Sequence, residues 1–162
     1  MLAAWLQILI FVAAAVIVNA IIYFVGWNNM YRGCRGKLIP PGWFIAIVWI
    51  VLFGFFGYAH YLVFKQNNER WTVANIAIIV VAVFCLSYTW IVYKFPSFTK
   101  FMNVLSLIVA FVLGILVLNE SEDAFWWLLP FIAWSAYVNL AESLILCKSV
   151  AGSYDNILFT TC

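Results

Sequence analysis

Trp49 and Trp134 are the residues of this chain best placed to hold another molecule. Each lies deep inside a long apolar run, Trp49 about seven residues in, roughly 10 Å below the start, and Trp134 about ten residues in. An indole N–H at that depth needs an acceptor, and lipid supplies none. From Trp49 the positions 53, 57 and 60 continue along one helical face and hold Phe53, Gly57 and His60, the single histidine. Val138 and Ala141 follow Trp134 at helical spacing. Two such faces of flat and small residues make walls on which planar apolar molecules stack, each aromatic pair adding about 0.5–1.5 kcal/mol beyond area burial. The same tryptophans could equally fill the core of a helix bundle. Residue types alone leave both readings open.

Little else in the chain has chemical potential. His60 could ligate a haem iron, but a histidine inside a span more often hydrogen-bonds a neighbouring helix. Glu142, near the end of its apolar run, is expected to snorkel to the interface, with a proton-linked or ligand-contacting role as the alternative. Cys34, Cys85, Cys147 and Cys162 show neither pairing nor metal-ligand spacing; Cys85 and Cys147 read as small hydrophobes, and a Cys34–Cys162 disulfide is not expected. There is no Ser-His-Asp set, no metal cluster and no glycine-rich phosphate loop. The pattern therefore assigns no catalytic residue and no metal.

The elements that must position the tryptophans are membrane helices. The 162 residues are 68% hydrophobic and 9% charged, whereas a soluble domain is about 45–50% apolar and about 25% charged. The fold class expected is an all-α membrane protein, a five-transmembrane-helix bundle forming one domain over residues 1–162. Its apolar runs cover 2–25, 43–64, 72–93, 101–118 and 124–147. A run of about 22 residues reaches about 33 Å, enough to cross the hydrocarbon core. The fourth run is the shortest and least secure. The first lacks a basic leading segment and is too long for a signal peptide, so it reads as a retained helix.

Charge sets the orientation. Arg32, Arg35, Lys37, Lys94, Lys100 and Lys148 fall on one side, against Lys65 and Arg70 on the other. Basic residues stay inside, which puts the N-terminus outside, the C-terminus in the cytosol and the loop 26–39 on the cytosolic face. The net charge of +2 is thinly spread, so nucleic acid is excluded as a partner. Trp27, Trp71, Trp126 and Trp127 sit at span ends and read as an interfacial belt. The pair Pro40-Pro41 marks a loop-to-helix junction. Ala110 and Gly114 form a small-residue pair that could seat a neighbouring helix or, in a homodimer, a second copy.

Three stretches resemble the tryptophan-rich sensory protein (TspO), or translocator protein, family, once called the peripheral benzodiazepine receptor. Its pattern Pro-Pro-x-Trp, Val-Trp-x-x-Leu-Tyr and Met-Gly-x-Ala-x-Tyr stands here as Pro40-Pro41-Gly42-Trp43, Val48-Trp49-Ile50-Val51-Leu52-Phe53 and Phe56-Gly57-Tyr58-Ala59-His60-Tyr61. Phe53 and Phe56 are the departures. The family's Leu-x-Pro-Tyr-Leu-x-Trp-x-x-Phe-Ala stands as Leu128-Leu129-Pro130-Phe131-Ile132-Ala133-Trp134-Ser135-Ala136-Tyr137-Val138. A weaker match sets Leu86-Ser87-Tyr88-Thr89-Trp90 against Leu-Asn-x-x-Trp.

The resemblance implies a five-helix bundle with a ligand cavity beneath the first cytosolic loop, in a bacterial inner, mitochondrial outer or other internal membrane. It implies a receptor or transport role for porphyrins, with protoporphyrin IX or haem as ligand and no required cofactor. Some members bind steroids or synthetic aromatic amides. The ligand-binding set carried over is Trp49, Phe53, Trp90, Trp134, Tyr137, Val138 and Ala141, with Pro40 and Pro41 at the loop junction. Two alternatives stand beside binding: light- or oxidant-dependent porphyrin degradation using Trp49 and Trp134, and a small scaffold whose cavity has closed. Val138 replaces the family's alanine, and overpacking by a methylene or two costs about 1–3 kcal/mol. The family's Lys-Pro-x-Trp ahead of the double proline is missing; only Lys37-Leu38-Ile39 stands there. A cholesterol-recognition pattern at the end of the fifth run is also absent, which leaves steroid binding less supported than porphyrin binding.

Overall fold

The computed structural model describes residues 4–24, 40–94 and 98–151, which form five helices. They are α1 (Ala4–Phe24), α2 (Gly42–Gln66), α3 (Val73–Lys94), α4 (Thr99–Leu118) and α5 (Glu122–Ala151). Four are long and apolar enough to cross a membrane, while α3 contributes a shorter apolar stretch, Val73–Tyr88. The fourth run, expected to be the least secure, is the most apolar of all. Past its first turn α4 carries only Asn103 and Ser106 as polar side chains, whereas α3 runs into Ser87, Tyr88 and Thr89. The segment 26–39, with Trp27, Cys34 and its basic residues, lies outside the described residues, as does Cys162.

Local chemistry fixes the helix ends. Pro41 precedes α2 in an extended conformation (φ −61°, ψ 148°), and its carbonyl accepts from Phe44 N at 2.9 Å and Ile45 N at 3.2 Å. Proline is well suited there because it has no N–H to leave unpaired. At the other end of α2, Asn68 (φ 52°) and Glu69 (φ 62°) reverse the chain in the left-handed region. Asparagine visits that region more readily than most residues. Thr72 Oγ1 accepts from Asn75 N at 3.4 Å to open α3, and Ser121 Oγ accepts from Ala124 N at 3.3 Å to open α5. Glu120 ties these two junctions together, accepting from Ala74 N at 3.3 Å and Asn67 Nδ2 at 3.4 Å.

α2 is central, packed on α1 along one side and on α5 along another; α4 pairs with α5, and α3 leans mainly on α4. The α1–α2 seam is close because Gly57 has no side chain. A Cβ there would stand 2.7 Å from Ile8 Cα and 3.0 Å from Gln7 O. Close backbone approach through small residues is how helices associate where no hydrophobic effect drives them. The same seam holds a buried pair, His60 Nδ1 with Gln7 Oε1 at 2.7 Å. Phe11, Phe64 and Trp71 surround the imidazole, 7% exposed, and its Nε2 has no hydrogen-bond partner among the described residues.

The stripe that begins at Trp49 therefore serves two neighbours. Gly57 and His60 meet α1, while Trp49 and Phe56 meet Phe131 of α5, with ring centroids 6.4 and 4.9 Å away. Gly114 is turned to α5 of the same chain, where an added Cβ would lie 3.0 Å from Ile132 and 3.3 Å from Phe125. The Ala110–Gly114 pair thus seats a helix within the bundle. Among the belt tryptophans, Trp126 is exposed, but Trp127 packs on Phe55 and Tyr58, and Trp71 leans on His60.

Candidate functional site

At the end of the bundle marked by Pro40, four helices part around a cavity. The cavity has a volume of about 150 Å³, and about 910 Å³ when the open space at its mouth is counted. Each helix contributes at its own period. α2 presents Ile45 and Trp49, four apart, and α3 presents Cys85 and Tyr88, three apart. α4 offers Thr99, Asn103 and Ser106, also one face of a helix. α5 supplies the widest arc, from Trp134 and Ser135 through Tyr137, Val138 and Asn139 to Ala141.

One wall is aromatic. Trp49 stands over Phe53 at 6.2 Å between ring centroids, and Trp134 over Tyr137 at 5.6 Å. Phe53 is 2% exposed and is not among the lining residues; it joins Phe56 and Phe131 as the packed layer that backs Trp49. A set of polar side chains in the lining ties three helices together. Asn139 Nδ2 donates to Asn103 O on α4 at 2.9 Å and to Ser135 O on its own helix at 2.8 Å. The Tyr88 hydroxyl on α3 donates to Asn103 Oδ1. Such bonds hold a cavity open where lipid could not satisfy the groups involved. The arrangement offers aromatic faces on which a flat apolar molecule can stack and polar groups that can meet its hydrogen-bonding edge.

Of the residues singled out from sequence, the structure brings Trp49, Trp134, Tyr137, Val138, Ala141 and Pro40 to this cavity. Pro41 stands next to it as the α2 N-cap. Trp90 is elsewhere. It is 44% exposed and two residues past Tyr88, about 200° around the helix from the lining face. Cys85 is buried as a free thiol on the cavity wall. The Glu142 and Cys147 side chains lie outside the description.

Sequence reasoning missed Tyr88, Asn103, Ser106, Ser135 and Asn139. A signal was present, since polar residues inside a span almost always face the bundle interior or a cavity. Asn103 with Ser106, and Ser135 with Asn139, also share helical faces.

Compared with known families, the chain matches the model of the TspO/MBR family over residues 4–145. No curated protein and no solved structure matches it.

Proposed function

Because the chain belongs to the TspO/MBR family, we propose that it is an integral membrane protein whose five helices cross the bilayer and whose cavity binds a porphyrin. In this reading the N-terminus lies outside and the Pro40 end, with the cavity mouth, faces the cytosol, as the distribution of basic residues favours. The observation that carries the reading is that Trp49 on α2 and Trp134 on α5, far apart in sequence, line one cavity. Both indoles offer stacking area for a flat macrocycle. Val138 narrows the space but leaves it open, which favours a binding role over a closed scaffold.

The test is titration of the purified chain with protoporphyrin IX, followed by quenching of tryptophan fluorescence. Saturable quenching at micromolar porphyrin is expected. Quenching that rises linearly without saturation overturns the reading.

A further inference from the structure

The polar lining of the cavity is not uniformly engaged. Asn139 has committed its amide hydrogens to two backbone carbonyls, and Tyr88 has committed its hydroxyl to Asn103. Two hydroxyls are uncommitted. Neither Ser135 Oγ nor Ser106 Oγ makes a hydrogen bond within the described protein, and both residues line the cavity.

A serine inside a helix commonly donates back to the carbonyl one turn earlier. Ser87 of α3 does so, to Val83 O at 2.8 Å. Ser135 does not, although it is only 4% exposed. Among the described residues His60 Nε2 is the one sealed, unpartnered side-chain polar atom, so the Ser135 oxygen is not sealed, and Ser135 is one of the residues that line the cavity. A buried residue with an unspent donor facing an open space is a subsite.

The chemistry of the missing partner follows. A hydroxyl has one donor and two acceptor positions, and an orphaned donor is the rarer, less tolerated defect in buried surroundings. The ligand should therefore bring an acceptor. The described polar side chains of the lining are neutral, and burying a charge beside neutral groups is far costlier than burying a dipole. An uncharged carbonyl meets both conditions.

We propose that Ser135, assisted by Ser106, is the specificity-determining edge of this cavity, selecting flat uncharged ligands that carry a carbonyl oxygen. This rests on the cavity being a ligand site and adds the chemical class it prefers. A porphyrin offers the same group when its carboxyl side chains are protonated or esterified.

The experiment uses 9-fluorenone and fluorene, which share one flat ring skeleton and differ in a carbonyl against a methylene. Both are titrated into the purified full chain by tryptophan quenching, with protoporphyrin IX titrated separately. Ser135→Ala should weaken fluorenone about two- to tenfold, the range of one neutral hydrogen bond, and leave fluorene unchanged. Ser106→Ala should act in the same direction, and Ser135→Thr, which keeps the hydroxyl, should retain fluorenone binding. Equal effects of Ser135→Ala on both probes, or none on either, overturn the proposal, as does fluorenone that fails to bind while protoporphyrin binds. If protoporphyrin does not saturate but the fluorenone pattern holds, the porphyrin reading falls and the serine edge stands.

Discussion

Replacing Gly57 with alanine should pry α1 away from α2. The new methyl would lie 2.7 Å from Ile8 Cα, roughly 0.7 Å inside the 3.4 Å at which contact becomes ordinary. The obstacle is backbone, so no side-chain rotation relieves it. Overpacking of this kind costs about 1–3 kcal/mol. Separating the helices also stretches the Gln7–His60 bond, now 2.7 Å, whose loss adds about 0.5–1.5 kcal/mol. Alanine's better helix propensity returns about 1 kcal/mol, leaving a net loss of about 1–3 kcal/mol. Gly54→Ala is the control, because its Cβ would meet only Val12 Cγ2 at an ordinary 3.6 Å. That variant should be neutral or up to about 1 kcal/mol more stable. Unfolding in detergent micelles by added dodecyl sulfate, followed by tryptophan fluorescence, reads both. Ligand affinity of folded Gly57→Ala should change little, since none of the described lining residues comes from α1. A Gly57→Ala protein as stable as the parent, or a Gly54→Ala protein that is the weaker of the two, would refute the close seam.

Trp49→Phe and Trp134→Phe should each weaken protoporphyrin about two- to tenfold by loss of stacking area, whereas Trp126→Phe should not; quenching titrations distinguish them. Val138→Ala should widen the cavity and raise affinity for a bulky macrocycle, at a stability cost of about 1–2 kcal/mol read by the same unfolding assay. His60→Phe alone and Gln7→Leu alone should each cost about 1–3 kcal/mol by stranding a buried polar partner, and the double variant should recover much of that loss. Strictly additive costs would show that the pair is not coupled.

Much of the scaffold was legible in the residues. The apolar runs gave five helices because a long, uninterrupted apolar run satisfies its backbone in lipid within one helix, whereas a barrel needs short strands that alternate apolar and polar. Pro40-Pro41 marked the start of α2, and the depth of Trp49 and Trp134 marked residues that needed more than lipid. What stayed hidden depends on neighbours. His60 and Gly57 lie on the stripe that begins at Trp49, yet they meet α1, because one face of α2 is wide enough for two partners. Trp90 was misleading because helix rotation, which residue type does not encode, turns it from the cavity. Ser135 is flanked in sequence by conspicuous aromatics, and its role depends on neighbours from other helices, Asn103 among them, whose bonds go to Tyr88 and Asn139.

The most direct test of the account is a structure of the full chain with protoporphyrin IX bound. The macrocycle is expected in the cavity at the Pro40 end, in contact with Trp49, Trp134 and Ser135. A porphyrin lodged on the outer, lipid-facing surface of the bundle, with both tryptophans untouched, would contradict it.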